Sequence, residues 1–112
     1  MSTETGGDDL RVVLVTAPDV EVAERLARGL VEERLAACVN LIPGIRSFYR
    51  WKGAVQDDVE VLLVVKTRAD RLEALASWVQ ELHPYELPEI LGLPVIGGSQ
   101  AYLDWIRTES SS

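Results

Sequence analysis

Residues 10 to 16, "LRVVLVT", form a β-branched run rich enough in valine to be a buried strand, and "APD" closes it. From Asp19 the period changes. Ala23, Leu26, Ala27, Leu30 and Val31 recur at i, i+3, i+4, i+7 and i+8, lining one apolar helical face, while Glu21, Glu24, Arg25, Arg28 and Glu32 take the wet face. A second helix has Asp70 as its predicted N-cap and apolar positions at Leu72, Leu75, Ala76, Val79 and Leu82. It ends at His83, because a residue before proline is driven out of the α region. Between the helices, residues 37 to 50 and 55 to 67 read as extended arms joined by "WKGAV", whose glycine suits a tight reversal. In the second arm Val59, Val61, Leu63 and Val65 share one face, and Glu60, Leu62, Val64 and Lys66 share the other. Pro43 and Gly44 predict an edge strand with a bend or bulge, and Pro88 and Pro94 predict a second edge strand over residues 85 to 95. "SQAYLDWIR" adds a short helix capped by Ser99 and packed through Tyr102, Leu103 and Ile106.

The order is therefore strand, helix, strand, strand, helix, strand, then a helix. This predicts an α+β chain, a ferredoxin-like antiparallel sandwich with a long hairpin between its second and third strands and a C-terminal helix. The first strand and the second hairpin arm are expected at the centre. Residues 10 to 107 form one domain, preceded by a flexible polar leader, 1 to 9, and followed by a frayed tail, 108 to 112. A helix of about 14 residues covers roughly 20 Å, whereas a strand of that length spans over about 40 Å, so the hairpin overhangs its own helices. Its distal part carries Phe48, Tyr49 and Trp51, amphipathic anchors suited to an interface. Self-association through the edges is expected; the alternative is a monomeric hairpin with aromatics packed locally.

With 112 residues, 47% hydrophobic and 26% charged, the composition is that of one globular domain. A net charge of -7 opposes nucleic-acid phosphates and anionic lipid, so neither is an expected partner. The longest clean apolar run, residues 61 to 65, is far too short for a membrane span. "MSTETGGDD" has no basic residue and no apolar core, so it does not read as a secretory signal, and a cytoplasmic location is expected. Cys38 is alone, cannot form an internal disulfide, and reads as a small buried hydrophobe.

Candidate chemistry gathers in "HPYELPEI", which holds the single histidine. Strand alternation after Pro84 places Tyr85, Leu87 and Glu89 on one face with His83 at its mouth. An imidazole suits copper, zinc or nickel and a carboxylate can join it, but a protein metal site generally needs three or four ligands. His83 and Glu89 supply two, so completion requires neighbouring subunits, water or symmetry copies. The competing reading makes His83 a cap for the carbonyls ending its helix. As an acid–base pair His83 and Glu89 lack an adjacent nucleophile and a cofactor motif, so no enzyme is expected. Arg46, Arg50 and Lys52 read either as a solvated strand edge or as an anion contact.

The segments "VTAPD", "AERLARGLVEERLAACVNLIPGIRSFYRWKGAV", "VEVLLVVKT", "HPYELPEI" and "YLDWI" resemble the CutA family over residues 11 to 107. The resemblance implies a ferredoxin-like homotrimer, architecturally related to PII signalling proteins, with hairpins and edge strands pairing between subunits. It also implies a role in divalent-cation tolerance, weak binding of copper or another divalent ion at inter-subunit sites, and no agreed enzymatic reaction. Two positions depart from the pattern. Val15 stands where copper-binding members carry a cysteine, and Ala54 replaces a lysine at the hairpin tip. Trp51, Glu60, Lys66, Tyr85, Glu89 and Trp105 recur in the family pattern, implying either an inter-subunit cleft for a small ligand or an aromatic, salt-bridged trimer seam. A PII-like scaffold for a small ligand or an unidentified protein, with incidental metal affinity, stays open as the alternative function.

Overall fold

The computed structural model describes residues 3, 4 and 6 to 111. Of the expected leader and tail, residues 1, 2, 5 and 112 lie outside the described residues. β1 (Thr3–Glu4) pairs with β6 (Gly98–Ser99), and β2 (Leu10–Ala17), β3 (Cys38–Trp51), β4 (Ala54–Arg68) and β5 (Ile90–Pro94) form a four-stranded antiparallel sheet in the order β3-β4-β2-β5. The two central strands are the valine-rich ones and the two edges carry the prolines, as the lost N–H donors require. The helices are α1 (Val20–Glu32), α2 (Leu72–Leu82) and α3 (Gln100–Glu109).

Asp19 caps α1, its carboxylate accepting from the Val22 N–H at 2.8 Å. Ala23, Leu26 and Leu30 of α1 and Leu75 and Val79 of α2 then bury against Val13, Val15, Val61, Leu63 and Val65 of the sheet. Each large side chain fully buried this way contributes about 1.5–3 kcal/mol. Val31 and Leu82, expected on the same faces, are exposed. Asp70 does not cap α2. Its carboxylate is held by the Arg68 guanidinium at 2.6 and 3.0 Å, residues 69 to 71 form a 3-10 turn, and Arg71 occupies the cap position without a side-chain bond.

α3 runs two residues beyond the expected helix end at 107, and Ser110 is buried with its hydroxyl on the Ile106 carbonyl. Arg34, in the left-handed region at φ 58°, ends α1 and sends its guanidinium to the Thr108 and Ser111 carbonyls at 2.8 Å each. Those bonds satisfy acceptors that the end of a helix otherwise leaves open, which offsets the backbone cost of about 1–2 kcal/mol. At the other end of the chain Arg107 bonds Asp9 and the Gly6 carbonyl, so residues 6 and 9 are tied to α3. Leu10, Ala37, Leu103 and Ile106 form a second, smaller apolar cluster.

The hairpin turns at Lys52 and Gly53, both with positive φ (51° and 82°), the two-residue geometry that matches strand twist. The molecule measures 47 × 24 × 21 Å, its length set by this long ribbon.

Gly29 tests the packing of α1 on α2, because a Cβ there would lie 2.5 and 2.6 Å from the Trp78 ring. Helix propensity alone favours alanine by about 1 kcal/mol, whereas overpacking costs about 1–3 kcal/mol. Gly29→Ala is expected to lower the urea midpoint, and in a Trp78→Leu background the same substitution is expected to raise it.

Candidate functional site: an aromatic and acidic cleft

The distal half of β3, the middle of β4 and the loop after α2 frame a cleft of about 840 Å³. Its composition follows from one irregularity in β3. Residues directly opposite in an antiparallel pair share a face, and before Pro43 the even positions of β3 oppose even positions of β4: Cys38 faces Lys66 and Ile42 faces Leu62. The bulge at Pro43 and Gly44, where Gly44 takes φ 76°, inserts one residue, so Ile45 faces Glu60. From there the odd residues share the Glu60 face, and Tyr49 and Trp51 come to line the cleft.

The opposite wall depends on His83. The ring is buried; Nε2 lies 2.7 Å from the Thr16 carbonyl of β2, and Nδ1 accepts the Tyr85 N–H at 3.1 Å. A carbonyl only accepts, so Nε2 carries the proton and the ring is the neutral tautomer. His83 therefore serves the sheet rather than the carbonyls of its own helix, and a metal at Nδ1 would have to displace the Tyr85 amide. With Tyr85 held beside the imidazole, ring centroids 4.8 Å apart, its hydroxyl donates to Glu60 Oε2 at 2.8 Å.

The strand expected over 85 to 95 begins only at Ile90. Pro84 and Pro88 have no N–H for a ladder and the Tyr85 amide is spent on His83, so residues 84 to 89 form a loop. Tyr85 and Glu89 reach the same cleft by that loop instead of by strand alternation.

Glu60, only 5% exposed, is the buried charge of the site. Burial, and then the Glu60 carboxylate, hold the Glu89 carboxyl above its ordinary value. The Tyr85 phenol is pushed up by burial first and by Glu60 second. Tyr49 donates to Asp58, which raises its phenol likewise. Arg46 is not a free edge cation: it pairs with Asp57 at 2.8 Å, and its guanidinium carbon sits 5.2 Å over the Phe48 ring.

The six-residue constellation divides in two. Trp51, Glu60, Tyr85 and Glu89 all line the cleft, where Tyr85 and Glu60 are in direct contact. Lys66 lies about 20 Å along β4 from Glu60, bonded to the Asn40 side chain and 4.0 Å from Cys38 Sγ. Trp105 stacks on Tyr102 at 5.5 Å and does not line the cleft. Cys38, expected buried, is half-buried, because it opens the edge strand rather than a central one. The contribution of Tyr49 to the cleft was hidden in the sequence by the bulge, although its spacing of two from Trp51 marks the shared face.

The profile of the CutA1 divalent ion tolerance protein matches residues 11–109. The divalent-cation tolerance protein CutA of Thermus thermophilus is 54% identical over 96 residues, covering 86% of this chain and 93% of that protein. The chain belongs to the CutA family. Human Protein CutA is 51% identical over 100 residues, which are 88% of this chain and 56% of the human protein; the chain likewise spans 54% of the chloroplastic CutA of Arabidopsis thaliana. Among solved structures, the Thermus thermophilus Cut A1 protein superposes with a TM-score of 0.89 at 51% identity, covering 91% of this chain and 99% of that one. CutA from Synechococcus elongatus superposes at 0.91 with 44% identity, covering 98% and 96%. Among the described residues no group of three or more His, Cys, Asp or Glu side chains is gathered to hold a metal ion, and no helix is long and apolar enough to cross a membrane.

The Glu89 shift gives this CutA cleft a pH signature. A carboxyl whose folded value lies above its ordinary 4.5 favours folding below 4.5, and that stability is lost as pH rises through the folded value. Glu89→Gln is expected to gain stability relative to the wild type on going from pH 4 to pH 7, measured by denaturant titration at both values.

Proposed function

We propose that this chain serves divalent-cation tolerance in the cytoplasm as a ferredoxin-like homotrimer, binding copper or another divalent ion weakly where subunits meet. Membership of the CutA family over residues 11–109 carries the reading. The strand order, with the proline-bearing β3 and β5 at the edges, supports the ferredoxin-like assignment. The exposed Ile42, Val55, Val59, Leu91 and Leu93 on the hairpin and on β5 support pairing with other copies. Glu89 is exposed on the cleft rim and is the carboxylate we assign to the ion. His83 contributes a nitrogen only if the Tyr85 amide lets go. One chain supplies too few ligands for a complete site, so neighbouring subunits or water complete it. No catalytic step is assigned.

The aromatic walls of the cleft favour a second reading, a PII-like scaffold that takes a small ligand or a protein and has incidental metal affinity.

Native mass spectrometry with copper titration tests the first reading. A species of about 37 kDa is expected, three copies of the 12.4 kDa chain, whose copper affinity falls severalfold in Glu89→Gln. A monomer, or an unchanged affinity, contradicts it. Copper tolerance retained in cells by a variant that has lost binding favours the second.

A further inference from the structure

We infer that the cleft between β3, β4 and the 84 to 89 loop accepts a small organic cation of the alkylammonium class. This rests on the small-ligand reading of the cleft and names the chemistry it selects.

Two features of one cavity converge on that class. The walls include Tyr49, Trp51 and Tyr85, aromatic faces that attract a cation when they lie within about 6 Å of it. Both tyrosine hydroxyls donate to carboxylates, Tyr49 to Asp58 and Tyr85 to Glu60, which pushes electron density into the rings and makes their faces more negative. The same wall displays the interaction once already, in the Arg46 guanidinium over Phe48.

The field inside has the same sign. Glu60, Glu86 and Glu89 line the cleft against one cation, Arg46, whose charge is paired with Asp57 outside the lining. An anionic ligand would meet these carboxylates directly. A neutral apolar one would cover the exposed Glu86 and Glu89 carboxylates without offering a counter-charge. A compact alkylammonium offers methyl surface to the rings and positive charge to the carboxylates, and about 840 Å³ holds a ligand of that size.

Calorimetric titration of the full chain in its native assembly with choline, and with its uncharged isostere 3,3-dimethylbutan-1-ol, tests this. Choline is expected to bind at least about tenfold tighter than the isostere. Glu89→Gln and Trp51→Leu are each expected to weaken choline severalfold while the folded baseline in circular dichroism is kept. Equal binding of the two compounds, no choline binding at millimolar concentration, or choline binding indifferent to both substitutions overturns the inference. A trimethyl-lysine peptide that binds where choline does not overturns the small-molecule assignment. Copper titration of the same preparation separates the claims: choline failing while copper binding persists overturns only this one.

Discussion

The Thr16 carbonyl near the end of β2, the imidazole of His83 and the amide of Tyr85 form a chain of two hydrogen bonds that fixes the path of the polypeptide as it leaves α2. Pro84 prevents the helix from continuing, and the buried ring gives the next residues one direction to take. Tyr85 is thereby set within reach of Glu60, a carboxylate that is buried at little loss only because the phenol donates to it. Without that strut the loop would lose its anchor, Glu60 its partner, and the cleft one wall.

The other wall depends on a count of residues rather than on a contact. A strand has period two, so one inserted residue moves every later side chain to the opposite face. The bulge at Pro43 and Gly44 does this once, between the part of β3 opposite Lys66 and the part opposite Glu60. Tyr49 and Trp51 consequently share the sheet face of Glu60 and line the same cleft, while Arg46 and Phe48 come to the cleft from alternate positions along the strand edge. The same bulge keeps β3 at the edge of the sheet, where the missing proline N–H costs no ladder bond within the chain.

Much of this was legible in the sequence. The hairpin, its bulge, the edge placement of the proline strands, the start of α1 near Asp19, the Ser99 cap and the end of α2 before Pro84 follow from local rules that read one residue type at a time. The α2 cap was missed because the Asp70 carboxylate is taken by the Arg68 guanidinium and the residue itself lies inside a 3-10 turn, a choice local propensity does not encode. The strand at 85 was missed because the destination of the Tyr85 amide depends on a ring whose acceptor, Thr16, lies 67 residues away. The candidate site was half legible: Trp51, Glu60, Tyr85 and Glu89 do line one cleft, but Lys66 and Trp105 belong to a different neighbourhood, and recurrence in a family pattern says nothing about distance within one chain. The role of His83 as a strut was legible only as one of two open readings, and its acceptor was not the one proposed.

The tautomer of His83 therefore bears on the whole account, since a ring with both nitrogens engaged inside the chain holds the cleft and can ligate only by giving up the Tyr85 amide. Long-range proton–nitrogen correlation NMR on the ¹⁵N-labelled protein, before and after addition of Zn²⁺, measures this directly. The neutral ring with its proton on Nε2 is predicted, its nitrogen shifts unmoved by the ion. A proton on Nδ1, or a displacement of either ring nitrogen on adding Zn²⁺, would contradict it.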